Sequence, residues 1–349
     1  MIDIKVPARI CFYGDHQDYL GLPVIAGTIN RFIQLKAVPN ATNNFAIKLL
    51  DLNERVTIAV DDALKNVQNG DYFRSCMAVL KEKGFAFEQG YDIEIAGNIP
   101  VNAGLSSSSA LVVCWLRFLV KIQKKSIAVC DIELGHLAYE AEAVYFKQPG
   151  GIMDQYTIAQ GGMLFIDTET GKSGKLSTQL GTLVVAESGI SKQTLEVLQN
   201  ARVYAQNAVE AVQKRVPEFK TSAATVSDYE KYRGLVPDKF QNHWYATIHN
   251  YDITRKAQAE LSKSTPDIKV LGDLMNQHQE ILQNQIQNTP QEMIKMMNAA
   301  RKAGALGAKI IGSGGGGCMV AITTDELKNR VIDAFLASNA VNAYEVQLT

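Results

Sequence analysis

The chain has 349 residues, more than one small core needs, and 46% of them are hydrophobic against 20% charged, the make-up of an ordinary globule and not of a disordered chain. Lysine plus arginine number 35 and aspartate plus glutamate 36, a net charge of −1, so no electrostatic surplus draws the chain to nucleic acid or an anionic membrane, and neither is expected as a partner. Five scattered cysteines form no C-x-x-C pair, which suits reduced, buried thiols in a cytoplasmic protein.

The stretch 2–13 alternates apolar and polar residues as a strand does and lacks the layout of a signal peptide. It leads into "PARICFYGDHQDYLGLPVI" (7–25), where Asp15, His16 and Asp18 crowd a turn, with Arg9 one strand length earlier. The residues alone allow a solvated polar turn or a grip for a polyol, in which carboxylates accept from paired hydroxyls and Tyr19 covers a ring face. Further strands are expected at 31–38, 45–60 and 90–97, with a helix over 71–84 closed by Gly84.

In "GNIPVNAGLSSSSALVV" (97–113), four serines, Ser106 to Ser109, stand between a Gly-Leu turn and an apolar run that reads as a buried helix at about 106–123. Serine serves well at a helix start, but four exceed what capping requires. A glycine turn feeding a helix N-terminus gathers unpaired amide donors and partial positive charge; serine hydroxyls there add donors for phosphate oxygens and a ligand for a hard cation such as Mg²⁺. A Ser-rich cap with no ligand is the alternative. No Gly-Lys-Ser/Thr follows, so this is not a Walker loop. The apolar run contains Arg117 and is too short to span a bilayer.

A helix is expected at 131–146. Gly150 and Gly151 after Pro149 then break the chain, and Asp154 falls near the start of another helix, where it also reads as an ordinary N-terminal acid. "GGMLFID" and "TLVVAES" are strands, and the polar "TETGKSGKLSTQ" between them marks a domain joint at 170–180. From 191 to about 304 the pattern is mostly helical, followed by a strand pair around 312–317, a helix at about 324–338 and a last strand, "AYEVQL". "GSGGGGC" (312–318) formally meets G-x-G-x-x-G, yet it lies between two strands and opens no helix, so a dinucleotide site is not expected. Glycines in that number mean close backbone approach to a ligand or a neighbouring loop. The histidines (His16, His136, His243, His249, His278) form no H-E-x-x-H, which disfavours a zinc enzyme. Segregated blocks of strand and helix point to α+β and not to a doubly wound sheet.

Taken in order, the segment from Arg9 to Gly21, the loop "PVNAGLSSSSA" and "GSGGGGC" resemble the three motifs of the GHMP kinases, the superfamily of galactokinase, homoserine kinase, mevalonate kinase and phosphomevalonate kinase, over nearly the whole chain. Within it the likeness is greatest to galactokinase-type sugar kinases. Their G-E-H-x-D-Y stands here as "GDHQDY" (Gly14 to Tyr19) and their G-I-M-D-Q is intact at Gly151 to Gln155, while "GAKIIGSGGGGC" is as close to mevalonate kinase.

The resemblance implies a two-domain fold, an N-terminal domain (1–175) like the second domain of ribosomal protein S5 and a ferredoxin-like C-terminal domain (176–349), with the active site between them. It implies ATP-dependent phosphorylation of a free monosaccharide at the anomeric hydroxyl, with Mg²⁺, by a cytoplasmic monomer or homodimer. Asp154 would be the base and Arg9 its cationic neighbour; Asp15, His16 and Asp18 would hold sugar hydroxyls, and Gly151 would let the ring approach. The backbone of Gly104, Leu105 and Ser106 with Ser107, Ser108 and Ser109 would wrap the ATP phosphates, Ser108 and Glu142 would hold Mg²⁺, and Gly312, Gly314, Gly315 and Gly316 would lie near the site. Asp15 replaces the family glutamate and Gln17 its threonine, which leaves the identity of the sugar open. A mevalonate-type kinase and a non-catalytic sugar and ATP sensor retaining the fold are the competing readings.

Overall fold

The computed structural model describes residues 1–349 except 101–102, 125–127, 177–179 and 192–193, and gives the backbone alone for 194–199. The first half builds one seven-stranded sheet: β1 (Ile2–Tyr13), β2 (Val24–Pro39), β3 (Asn44–Leu49), β4 (Glu54–Ala59), β5 (Tyr91–Gly97), β6 (Met163–Asp167) and β7 (Lys172–Lys175). Its order is β4-β3-β5-β2-β6-β7, and β1 runs antiparallel along the other flank of β2. The 16-residue β2 is the spine, since one flank takes β1 over nearly its whole length while the other takes β5 at residues 33–39 and β6 at 24–27. The stretch 45–60, expected as one strand, is the β3/β4 hairpin; Asn53 adopts φ +53 in its turn, a left-handed conformation that asparagine tolerates.

Four helices clothe this sheet: α1 (Tyr72–Glu82), α2 (Ser107–Lys121), α3 (Asp131–Tyr139) and α4 (Met153–Gln160). Ile4, Val6, Ala8, Ile10 and Phe12 alternate along β1 into the main core shared with α1, α2 and α3. Beyond Ala8 the opposite face of β1 is buried too, because Met153 and Tyr156 of α4 pack there with Cys11 and Val24. Nine residues of α2 are buried, and Trp115 donates from Nε1 to the Phe73 carbonyl at 3.1 Å. At about 1.5–3 kcal/mol for each fully buried large apolar side chain, this packing anchors α2 and thereby its N-terminus. The helix expected over 131–146 is α3 continued by one wide turn, Glu140–Val144, closed by Tyr145 N to Glu140 O at 2.8 Å.

The second sheet contains β8 (Thr182–Glu187), β9 (Gly307–Ile310), β10 (Cys318–Thr323) and β11 (Asn342–Val346), all antiparallel in the order β11-β8-β10-β9. Its helices are α5 (Thr194–Gln213), α6 (Val226–Tyr232), α7 (Gln241–Leu261), α8 (Ile268–Ile281), α9 (Gln291–Lys302) and α10 (Lys328–Ala337). Helix α8 closes the free edge of β9: Asn276 Oδ1 accepts from Ala308 N at 3.1 Å and Gln279 Oε1 from Ile310 N at 2.9 Å. Sheet membership changes between Lys175 and Thr182, within the polar stretch read as a joint, although 172–175 of that stretch is itself an edge strand and 177–179 lie outside the described residues. The C-terminus returns to the first sheet, with Thr349 N donating to Thr28 O at 3.0 Å. Of the cysteines, four are buried thiols and Cys130 is exposed. No helix among the described residues is long and apolar enough to cross a membrane.

Candidate active site

A cavity of about 440 Å³ opens where the end of β1, the start of α2, the Glu140–Val144 turn, the start of α4 and the β9–β10 connection converge. Arg9 and Asp154 sit at its centre. Arg9 reaches Asp154 in a two-pronged pair, Nε to Oδ1 and Nη2 to Oδ2 both at 2.7 Å, while Nη1 donates to the Gly104 carbonyl at 2.8 Å. The arginine side chain is 4% exposed and the aspartate 27%, so the carboxylate is the member that looks into the cavity. Burial alone would lower the Arg9 pKa; the Asp154 charge and hydrogen bonds override it and hold the guanidinium above its ordinary value.

The serine run divides its labour. Ser106 adopts φ +58 as the residue before α2, and its Oγ donates to Asp154 Oδ2 instead of capping the helix. The first turn of this 15-residue helix carries no side-chain cap and lines the cavity through Ser107, Ser108 and Ser109, and an uncapped helix start is a favourable place for an anion. Glu142 accepts from Gln155 Nε2 at 2.7 Å, and the Ser108 and Ser109 hydroxyls stand close enough to its carboxylate to favour the charged form. Burial pushes the Glu142 carboxyl up, and among the described residues no cationic side chain pairs with it. Leu105 does not join the lining: it is fully buried, and its carbonyl accepts from Arg9 N at 3.4 Å.

Opposite lies the loop after β1. Asp18 is held by Tyr19 N on Oδ1 at 3.0 Å, and its pKa is raised to about 7, first by burial and then by the nearby Asp154 charge. Gly151 has a specific reason to be glycine, since a Cβ there would fall 2.1 Å from Asp18 Oδ2; the close approach is to this carboxylate. His16 takes φ +62 and sets Nδ1 3.1 Å from Tyr19 Oη and Nε2 3.0 Å from the Ser313 carbonyl. Asp15 borders the cavity, but its side chain is 1% exposed: Oδ1 accepts from Gly312 N at 3.0 Å and Oδ2 lies 2.7 Å from Lys309 Nζ, an ion pair whose angle falls short of a well-aligned hydrogen bond. Gln17 points away, its Oε1 accepting from Thr254 Oγ1 at 3.0 Å.

The glycine-rich connection answers its own question. Gly312 lines the cavity with Ser313, whereas Gly314, Gly316 and Gly317 press on neighbouring backbone: added Cβ atoms would lie 2.5 Å from Asn288 O, 2.7 Å from Ile190 O and 2.6 Å from Ala103 O. Gly315 N donates to Asn288 O at 2.7 Å, and Cys318 N to Ala103 O at 2.7 Å, which fastens the loop before α2 to the second sheet. Lys309, Asn288, Tyr72 and Gln148 are site or supporting residues that sequence reasoning missed. Only Lys309 carried a signal, as a lysine inside the apolar run Ala308–Ile311.

The sequence matches the GHMP kinases N terminal domain over residues 71–162 and the GHMP kinases C terminal domain over 257–341, together about half of the chain. It is 25% identical to the galactokinase of Exiguobacterium sibiricum, covering 98% of this chain and 88% of that one, and 27% identical to the mevalonate kinase of Thermococcus gammatolerans, covering 92% and 89%. The fold superposes on Lactococcus lactis galactokinase, solved in complex with galactose, with a TM-score of 0.88 at 20% identity over 99% of this chain and 93% of that one. Two matched domains in order, carried on two sheets with the motif residues gathered around one cavity, mean that the chain belongs to the GHMP kinases and is galactokinase-like.

Proposed function

We propose that the protein transfers the γ-phosphoryl group of ATP to the anomeric hydroxyl of a free monosaccharide, using domains 1–175 and 176–349 as the two walls of the cavity. The observation that carries this reading is the Arg9–Asp154 pair, open to the cavity through its carboxylate and set among the uncapped start of α2, Glu142 and the Asp18 loop. Phosphoryl transfer asks a protein mainly for positioning and charge neutralisation. Asp154 accepts the hydroxyl proton and aims the oxygen; Arg9, at the same carboxylate, keeps it ionised and steadies charge in transit. Ser107, Ser108 and the first α2 amides take phosphate oxygens, and Asp18 and His16 take sugar hydroxyls.

A hard divalent cation fits beside Ser108 and Glu142, since a buried carboxyl with only neutral partners and adjacent hydroxyls is a suitable donor set. Mg²⁺ bound there would neutralise phosphate charge. The mevalonate-type reading is the weaker one: among the described residues lining the cavity the only lysine or arginine is Arg9, already committed to Asp154, so an acceptor carrying its own carboxylate meets no available cation. Incubating the protein with Mg·ATP and a panel of free sugars plus mevalonate, read by phosphorus NMR, tests both; phosphomevalonate without any sugar phosphate would overturn the proposal. Asp154→Asn is expected to lower kcat by about 10²–10⁴-fold while ATP still binds by calorimetry, and an active variant would remove Asp154 from its role.

A further inference from the structure

We propose that Lys309 is a positioning residue for the sugar-binding loop, acting through Asp15 and Gly312; this rests on the sugar-kinase reading above. The loop from Gly14 to Leu20 leaves β1 of the first sheet, yet three consecutive side chains hang it on the other half of the molecule. Asp15 meets Lys309 Nζ and Gly312 N, His16 lies 3.0 Å from both the Ser313 carbonyl and Asn288 Nδ2, and Gln17 accepts from Thr254. The next residue, Asp18, is the one whose carboxylate is left for the cavity. The loop backbone does not hold this shape by local preference, since Gly14 has φ +95 and the non-glycine His16 φ +62. Tethers from outside must hold it.

Lys309 is the charged tether. It is wholly buried in β9, where its ammonium donates to the Cys11 carbonyl at 3.1 Å and the Ile310 carbonyl at 2.6 Å and stands 2.7 Å from Asp15 Oδ2 as an ion pair. Two of these, Cys11 and Asp15, lie at the end of β1 and in the loop that follows it. A buried ammonium is costly to desolvate, and an apolar residue would serve β9 as well for packing. What the lysine adds is register between β1 and the Gly312–Ser313 wall, and so the aim of Asp18 and His16. Burial holds His278 of α8 neutral, so it adds no competing positive charge near Asp15.

The test uses the full-length protein and the sugar that the wild type phosphorylates. Lys309→Gln removes the charge and keeps a donor for Asp15; Lys309→Met/Asp15→Asn removes both charges and keeps an acceptor for Gly312 N, so the question stays open to measurement if the first variant folds poorly by near-UV circular dichroism. The expected result is a sugar KM raised about tenfold or more, as for one misdirected hydrogen bond to a charged group, with the KM for ATP within about twofold. A folded variant with the wild-type sugar KM overturns the proposal, as does an equal rise in both KM values, which would mean general loosening of the cavity. A wild type that phosphorylates no sugar at all defeats the sugar-kinase reading instead.

Discussion

Gly151→Ala offers a sharp test of the wall proposed to face the sugar. A Cβ at this position would lie 2.1 Å from Asp18 Oδ2, 2.3 Å from its Cγ and 2.8 Å from its Cβ, against the 3.0 Å that real Cβ atoms respect. Clearing the worst contact asks the Asp18 carboxylate to retreat by about 0.9 Å. Gly151 is not in a positive-φ conformation, so the backbone tolerates alanine and the displacement falls on one side chain. Stability should change by less than about 1 kcal/mol, as for most substitutions away from a packed core. A misplacement near 1 Å in a positioning group costs on the order of 10²-fold in rate, so kcat/KM for the sugar should fall by about that factor while the KM for ATP holds. The assay is coupled ADP release at varied sugar and fixed saturating ATP, with Tm as the control for folding. In an Asp18→Ala background the same substitution should add little, because the carboxylate contacts are gone and only the 2.8 Å approach to Cβ remains. Wild-type kcat/KM in Gly151→Ala, or an equal loss without Asp18, would refute the reasoning.

Asp18, with its pKa raised to about 7 by burial and then by Asp154, also sets a pH dependence. The ionised form is the stronger acceptor for hydroxyls, so the sugar KM should fall as pH rises from about 6 to about 8, and Asp18→Asn should flatten that profile in steady-state kinetics. The sign for stability is opposite: a folded pKa above the unfolded value contributes stability that is full below the ordinary aspartate range and lost as pH rises through about 7, which Asp18→Asn removes from the Tm profile. Gly317→Ala should destabilise by at least about 2 kcal/mol in urea unfolding, since φ is +86 and the new Cβ would meet the Ala103 carbonyl at 2.6 Å; an unchanged midpoint would mean that this backbone junction yields easily.

The amino-acid sequence determined by itself the elements whose local chemistry is decisive. Alternation marked β1 to within a residue, the apolar run after the serines marked α2, and glycine breaks with an acid behind them set Asp154 at the start of α4. The motif order carried the family, because each motif is a short stretch with its own backbone requirement. What only the tertiary structure decided is where polar side chains spend their hydrogen bonds. Ser106 looked like one phosphate donor among four, and its hydroxyl goes to Asp154; Asp15 looked like a partner of sugar hydroxyls, and its carboxylate meets Lys309, 294 positions further along the chain. Glycines 314, 316 and 317 could have framed a ligand, and they admit the backbones of Asn288, Ile190 and Ala103. Local patterning reports the face a residue turns to the core, whereas the partner of a buried charge is chosen by which distant segment the fold brings within about 3 Å.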